Sequence, residues 1–391
     1  MESSVAIKVA KPRIVFLDAL RAVAVLLVLW GHVFLVGIND FPTVGVWVPD
    51  VKGFAFGPTT PQDNIHSTIA LWGAINLDLG VGGMGVSLFF LISGFVILRT
   101  VDRTRPVPFM IQRFFRIIPT CFFCVVVVAG LTYAYCSAKG LQQPNSIEGV
   151  LASTFAANYF NGSFTAIPVL WTLEIEMIFY LVMAVAAGLF KRLGYKELVL
   201  LSLLALAFVA AYSFPIREAT SKPDVFRHFS VIFVHISYMM IGAMIYRACE
   251  DSKKVRGVLL TVLTVFVYVV AYKSYWKATH MDVGSNMASA AAALTLFLGG
   301  LFAGLHGKWF APLRWVAGIS YPLYLLHIPI AWGLLYFFAS LGLGMSACAL
   351  LASLCVILLA WVTHHVVELP SQAFGKKLAF LLAPGVIAKP A

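Results

Sequence analysis

Ten runs of mostly apolar residues fill this chain, each close to the roughly 20 residues a helix needs to cross a hydrocarbon core. They lie at 14–38, 82–100, 116–137, 168–190, 197–214, 229–248, 257–276, 285–305, 315–339 and 343–367. The weakest are 168–190, which holds two Glu, and 285–305, which is rich in Ala and Gly. Lipid offers no water to an unpaired backbone N–H or C=O, so runs of this length fold as transmembrane helices. The charge content agrees: 12% of residues are charged, against about 25% in a soluble domain. A disordered chain, a disulfide-stapled secreted module, collagen and an ordinary cytosolic enzyme are all excluded.

The basic residues orient the bundle. With the N-terminus placed in the cytoplasm, 20 of the 28 Lys and Arg fall in inner segments and 7 in outer loops, with Arg21 inside the first span. That bias is what the positive-inside rule predicts. The expected fold is therefore an all-α polytopic integral membrane protein of about ten transmembrane helices, with both termini cytoplasmic. Residues 1–13 form an inner N-terminal segment, 14–367 the transmembrane domain, and 368–391 an inner tail. The first span runs too long, and lacks a small-residue cleavage site, to read as a removed signal peptide.

The net charge of +11 is spread over short inner loops. Nucleic acid is not an expected partner, since that requires a clustered patch. Cys121 and Cys124 have CxxC spacing, but no second pair follows and both lie on an apolar helix. They read as small packing residues, and no metal is expected. The outer loop at about 39–81 carries four Pro and several aromatics, among them Trp47, Phe54, Phe56 and Trp72. It is either a packed loop at headgroup level or a cap over an outer-facing site.

An ionisable side chain inside a span costs about 2.5–3.5 kcal/mol on insertion scales and marks a candidate functional site. The first span holds Asp18, Arg21 and His32. Eleven residues carry a helix about three turns, so Arg21 and His32 share a face about 16 Å apart along the axis. Asp18, three residues before Arg21, is within ion-pair reach. Arg recognises phosphate and His exchanges a proton near neutral pH. Together they suit a long phosphorylated donor threaded from the cytoplasm. The fourth span opens WTLEIEMIFY. Its Glu176 falls at a depth similar to His32, so a His–carboxylate pair is geometrically possible, as in hydrolase triads. Glu174 points about 200° away and reads as interfacial. Arg113 and Arg116, in RFFRIIP, share one helical face at the inner boundary. They could clamp a diphosphate or simply be part of the positive-inside cluster.

The chain resembles acyltransferase family 3 of integral membrane proteins. The resemblance rests on LDALRA with His32, GVSLFFLISGF at 85–95, RFFRIIP at 113–119, WTLEIEMIFY at 171–180 and ISYPLYLLH at 319–327, in family order. It implies a multi-pass protein of the bacterial inner membrane, an acyl-CoA donor from the cytoplasm and a carbohydrate or glycolipid acceptor. The family's Arg–x10–His motif falls on Arg21 and His32, its RxxR motif on Arg113 and Arg116, and its conserved Glu on Glu176. Ser93 and Gly94 match its Ser-Gly-Phe block. Trp171 opens its WSLxxE-like block, and Tyr321, Tyr324 and His327 match its SYxxYLxH block. Ala19, Ala22 and Thr172 depart from the commonest family residues, and Ser87 stands where Asp is often seen.

The resemblance thus implies O-acyl transfer, with acetyl-CoA the commonest donor, to a cell-surface polysaccharide, lipopolysaccharide or glycolipid precursor. His32 would act as general base or acyl carrier, with Glu176 and Arg21 beside it. Arg113, Arg116 and Arg21 would hold the donor, and Asp18, Ser93, Gly94, Trp171, Tyr321, Tyr324 and His327 would line or shape the pore. The rival reading is a proton-coupled transporter or flippase, which also places ionisable residues at the midplane.

Overall fold

The structure is a computed structural model that describes residues 15–39, 41–48, 80–158, 165–190, 192–213, 224–279, 287–303 and 311–382. The segment 1–13, residues 40 and 49–79 of the 39–81 loop and the end of the tail lie outside these residues; the loop begins with a short helix, Phe41–Trp47. Every regular element among the described residues is helical. The main helices are α1 (Val15–Trp30), α2 (Val81–Val101), α3 (Pro106–Lys139), α4 (Ile147–Thr154), α5 (Leu170–Leu189) and α6 (Tyr195–Ser213). They are followed by α7 (Asp224–Glu250), α8 (Lys254–Thr279), α9 (Met287–Ala303), α10 (Ala311–Ser340), α11 (Met345–Thr363) and α12 (Leu369–Leu382). Nine helices among the described residues are long and apolar enough to cross a membrane, and the chain is an all-α polytopic membrane protein. The tenth expected run appears as α9, an apolar helix of 17 residues.

Several helices differ from the lengths read off the apolar runs. α3 starts ten residues before the run at 116, because Pro106 occupies its first turn, where a missing N–H costs nothing. RFFR therefore sits on the helix rather than in the preceding loop. α3 ends at Gly140 in the left-handed region, φ 64°, a conformation that suits glycine at a helix C-terminus. The last span does not stop at 367. α11 passes through a π-helical turn, His364–Glu368, straight into α12.

α2 is the hub, packing against α1, α5, α7 and α9. Bilayer helices gain no hydrophobic force from meeting one another, so close approach of backbones over small residues has to hold them. A Cβ on Gly94 would lie 1.9 Å from the Met239 carbonyl oxygen of α7. The reciprocal Cβ on Gly242 would lie 2.1 Å from the Leu91 carbonyl oxygen of α2. The two backbones are in direct contact, and neither position has room for a side chain. Away from the hub, Leu181, Val185 and Leu189 repeat every four residues on α5 and are exposed, a stripe suited to lipid.

One charged tie joins three elements at a helix end. Arg247, buried on α7, donates from Nη2 to Asp102 Oδ1 at 2.9 Å, just past α2. The same nitrogen donates to the Leu193 carbonyl oxygen in the α5–α6 connection.

Gly94→Leu should force α2 and α7 apart and lower the thermal stability of the detergent-purified protein sharply. Overpacking of a close interface costs about 1–3 kcal/mol or more. Gly130→Leu on α3, with nothing within 4 Å of its Cβ, should leave the melting temperature within about 2 °C, because surface substitutions usually stay within about ±0.5 kcal/mol.

Candidate active site

Five helices deliver polar side chains to one internal cavity. α1 supplies Arg21, α2 Ser93, α3 Arg116, α5 Thr172, Glu176 and Tyr180, and α10 Tyr321 and Tyr324. Apolar walls between them come from residues such as Phe89, Phe90 and Ile92. The spacing on α5 explains its contribution: Thr172, Glu176 and Tyr180 recur every four residues and so share a face.

Glu176 is held at the centre. Its Oε1 accepts from Ser93 Oγ at 2.8 Å and from the Tyr180 hydroxyl one turn along its own helix. Arg21 and Arg116 face the same cavity, so two guanidinium groups and one carboxylate meet among apolar helices. Asp18 approaches Arg21 at only 4.0 Å, the outer limit of an ion pair.

Arg113 is placed differently from Arg116. It does not line the cavity. Its guanidinium stacks over Phe109 at 5.4 Å and Tyr180 at 5.5 Å, and Nη2 donates to Thr100 Oγ1 at 3.3 Å. Of the RxxR pair, Arg116 faces the chamber and Arg113 backs its wall.

α3 bends its hydrogen-bonding pattern around this pair. Pro119 has no N–H, so the Phe115 carbonyl, four residues earlier, loses its helical donor. Ser371 Oγ on α12 donates to it instead, at 2.8 Å. The contact is tight: a Cβ on Gly375 would come within 2.5 Å of the Phe115 Cβ, and Phe374 packs edge to face on Phe115 with ring centroids 5.0 Å apart. α12 thus clamps the turn of α3 that carries Arg113 and Arg116. The segment 368–391, expected only as an inner tail, begins with this clamp.

His32 lies where α1 passes into a π-helical turn, Gly31–Val36. A backbone Cβ at Gly31 would lie 3.0 Å from Gly82 Cα, so α2 begins directly against this turn. The π turn sends the Gly37 N–H to the His32 carbonyl, which also accepts from Trp332 Nε1 at 2.8 Å. Tyr336 caps the Gly37 carbonyl at 2.9 Å. On its side chain, His32 Nδ1 lies 2.9 Å from the Val28 carbonyl oxygen and 3.1 Å from His327 Nε2. His327 is buried, and its Nδ1 lies 2.6 Å from the Tyr324 carbonyl oxygen.

The structure therefore does not make the expected His32–Glu176 pair. At the level of His32 the neighbouring face belongs to α10, and His327 fills it. Glu176 instead turns toward Ser93 and Tyr180. Nor do Arg21 and His32 open on one continuous chamber. The cavity is lined by Phe89 and Tyr324 but not by His32 or His327; the Phe89 and Tyr324 rings pack edge to face 5.7 Å apart, and Tyr324 is tied across to Thr172 at 2.8 Å. The His327 ring is 5.6 Å from that of Tyr324.

Other expected pore residues separate similarly. Tyr321 lines the cavity and donates to the Ile117 carbonyl oxygen at 3.0 Å. Trp171 does not line it, but packs on His235 with ring centroids 5.5 Å apart. Gly94 is the close contact of α2 with α7. Glu174, read as interfacial, is buried and meets His228 Nε2 at 2.8 Å. Cys121 and Cys124 are both buried and unbridged, and no cluster of three or more His, Cys, Asp or Glu suited to a metal occurs among the described residues.

Sequence reasoning did not single out Tyr180, Trp332 or Ser371. Tyr180 was open to detection, four residues after Glu176. Ser371 answers a backbone carbonyl freed by a proline, and Trp332 adds a second donor to a carbonyl of a π turn, both on distant helices, and nothing local in sequence announces them.

Comparison with known proteins adds the chemistry. A family model described as an acyltransferase domain matches residues 14–365. The chain is 25% identical over 299 residues to a protein of Komagataeibacter xylinus named as the membrane-bound transacylase BcsY, covering 72% of this chain and 75% of that one. It is 39% identical over 176 residues to the exopolysaccharide production protein ExoZ of Rhizobium meliloti (strain 1021), covering 41% of this chain and 50% of that one. No solved structure matches significantly.

Ser371→Ala leaves the Phe115 carbonyl without its side-chain donor and should destabilise the protein by about 0.5–1.5 kcal/mol, the net worth of one hydrogen bond. Hydrogen exchange should then show faster opening of α12 than in the parent. Unchanged protection across 369–382 would show that the clamp holds by packing alone.

Proposed function

The chain belongs to acyltransferase family 3 and is a membrane acyltransferase, and from that premise we propose that it moves an acyl group from acyl-CoA to a carbohydrate hydroxyl. The acyl group is taken as acetyl and the acceptor as a cell-surface polysaccharide or glycolipid, with the protein in the bacterial inner membrane. The exopolysaccharide function in the name of ExoZ supports that acceptor class. The observation that carries the reading is the chamber itself, two guanidinium groups beside one carboxylate inside a membrane bundle. Such a charge set is costly in lipid and suits a phosphorylated donor with a neutral acyl end.

In this reading Arg116 and Arg21 hold the anionic part of the donor. Arg113 braces the wall through Tyr180. Glu176, already bonded to Ser93 and Tyr180, balances the two cations, so that the chamber carries less net charge when empty. His32 takes the proton of the acceptor hydroxyl as general base. The oxygen attacks the thioester carbonyl, the C–S bond breaks, and the departing thiolate receives the proton from His32. Phe89 and Tyr324 line the chamber, which His32 does not, so in this reading the acyl end has to pass these two rings to react. Excluding water there protects the thioester from hydrolysis.

Purified protein in liposomes, given labelled acetyl-CoA and candidate surface glycans, should transfer label to glycan. His32→Ala should lower turnover by about 10²–10⁴-fold at matched expression, the usual worth of general acid–base catalysis. Near-parental turnover would remove His32 from the mechanism. Arg116→Ala should raise the acyl-CoA KM about 10-fold or more, the loss of one charge-assisted contact of about 1.5–3 kcal/mol. Arg113→Ala should act mainly on stability.

A further inference from the structure

The hydrogen bonds around His32 and His327 determine where each ring carries its proton. His327 Nδ1 faces the Tyr324 carbonyl oxygen at 2.6 Å. A carbonyl oxygen only accepts, so that nitrogen bears the hydrogen, and in the neutral ring Nε2 is left with its lone pair. That lone pair faces His32 Nδ1 at 3.1 Å. His32 Nδ1 also faces the Val28 carbonyl oxygen at 2.9 Å. Both neighbours accept, so His32 carries its hydrogen on Nδ1 as well. The ring then presents a bare Nε2, and among the described residues no hydrogen-bond partner meets it.

We propose that His327 is the positioning residue of the reaction, an uncharged acceptor in the place that a carboxylate takes in hydrolase triads. The inference rests on the acyl-transfer reading, with His32 as base. His327 holds the His32 ring so that Nε2 faces the substrate. When Nε2 takes the hydroxyl proton, the positive ring keeps its Nδ1–H, which is shared between the Val28 carbonyl and His327 Nε2. No proton passes to His327. Its own hydrogen stays on the Tyr324 carbonyl, and the proton on His32 Nε2 goes to the departing thiolate.

A neutral partner fits this location. A carboxylate beside His32 would be a standing charge in an apolar setting, expensive whenever the base is neutral. The nearest carboxylate in the family motifs, Glu176, is already engaged by Ser93 and Tyr180. Trp332 and Tyr336, from the helix that carries His327, hold the backbone of the same turn. Both halves of the pair are therefore fixed by α10.

The test compares His327→Leu, which removes the acceptor, with His327→Gln, whose amide oxygen can reach a similar point. Both are made in the parent and in His32→Ala, with kcat and acyl-CoA KM measured on labelled transfer. His327→Leu should lower kcat about 10–100-fold, as loss of an outer orienting partner does, with KM little changed. Gln should restore most of it. In the His32→Ala background the Leu variant should cost nothing further. Equal losses in Leu and Gln, or the same loss with and without His32, would overturn the role.

A second measurement stands apart from activity. Nitrogen NMR of the protein labelled with ¹⁵N-histidine, with His32→Ala used for assignment, should show His32 as the Nδ1–H tautomer. The Nε2–H tautomer would overturn the proposal whatever the reaction. If the parent shows the Nδ1–H form but transfers no label, the acyl-transfer reading has failed and the positioning role falls with it.

Discussion

A backbone carbonyl without a donor is costly in hydrocarbon, because no water can replace the missing partner. Much of this site is made of the side chains that answer such carbonyls. Pro119 deprives Phe115, and Ser371 answers. In the π turn after Trp30 the His32 carbonyl takes the Gly37 N–H and a second donor from Trp332, and Tyr336 donates to the Gly37 carbonyl. Irregular backbone is tolerated at membrane depth only where protein supplies the partners. Here those partners also hold the candidate site side chains. The hydroxyl that satisfies Phe115 steadies the turn bearing Arg113 and Arg116, and the indole that satisfies His32 comes from the helix bearing His327.

The charged groups obey the same economy of partners. Glu176 has two hydroxyl donors, Arg113 lies against two aromatic faces, and Glu174 meets His228. Arg21 and Arg116 are the guanidinium groups that open onto the cavity. The difference within the RxxR pair follows from helix geometry. Three residues turn a helix by about 300°, so two side chains at that spacing are neighbours without facing the same direction. One can enter a chamber while the other braces its wall.

The helical bundle was legible because its signal is long-range and repetitive: apolar runs of bilayer length, and basic residues biased to alternate loops. The chamber was legible in part. Arg21 and Glu176 are charges where charge is expensive, and such residues stand out in any apolar run. Pairing was not legible. Depth along the membrane placed His32 level with Glu176, but which helix faces which is decided by contacts such as Gly94 on Met239, and depth carries no information on azimuth. The extent of α12 was hidden for another reason. It is a helix with two Lys and a Pro-Ser opening, and its apolar face is meant for Phe115 rather than for lipid.

The pairing of the first helix with α10 bears on how the protein is made. His32 and His327 are 295 residues apart in the chain, and ribosomes add about 5–20 residues per second. For about 15–60 s, then, α1 sits in the membrane with a histidine whose ring partner on α10 does not yet exist. A chain interrupted before α10 leaves the His32 ring without His327 and the His32 carbonyl without Trp332. The helix inserted first is among the last to have its contacts completed.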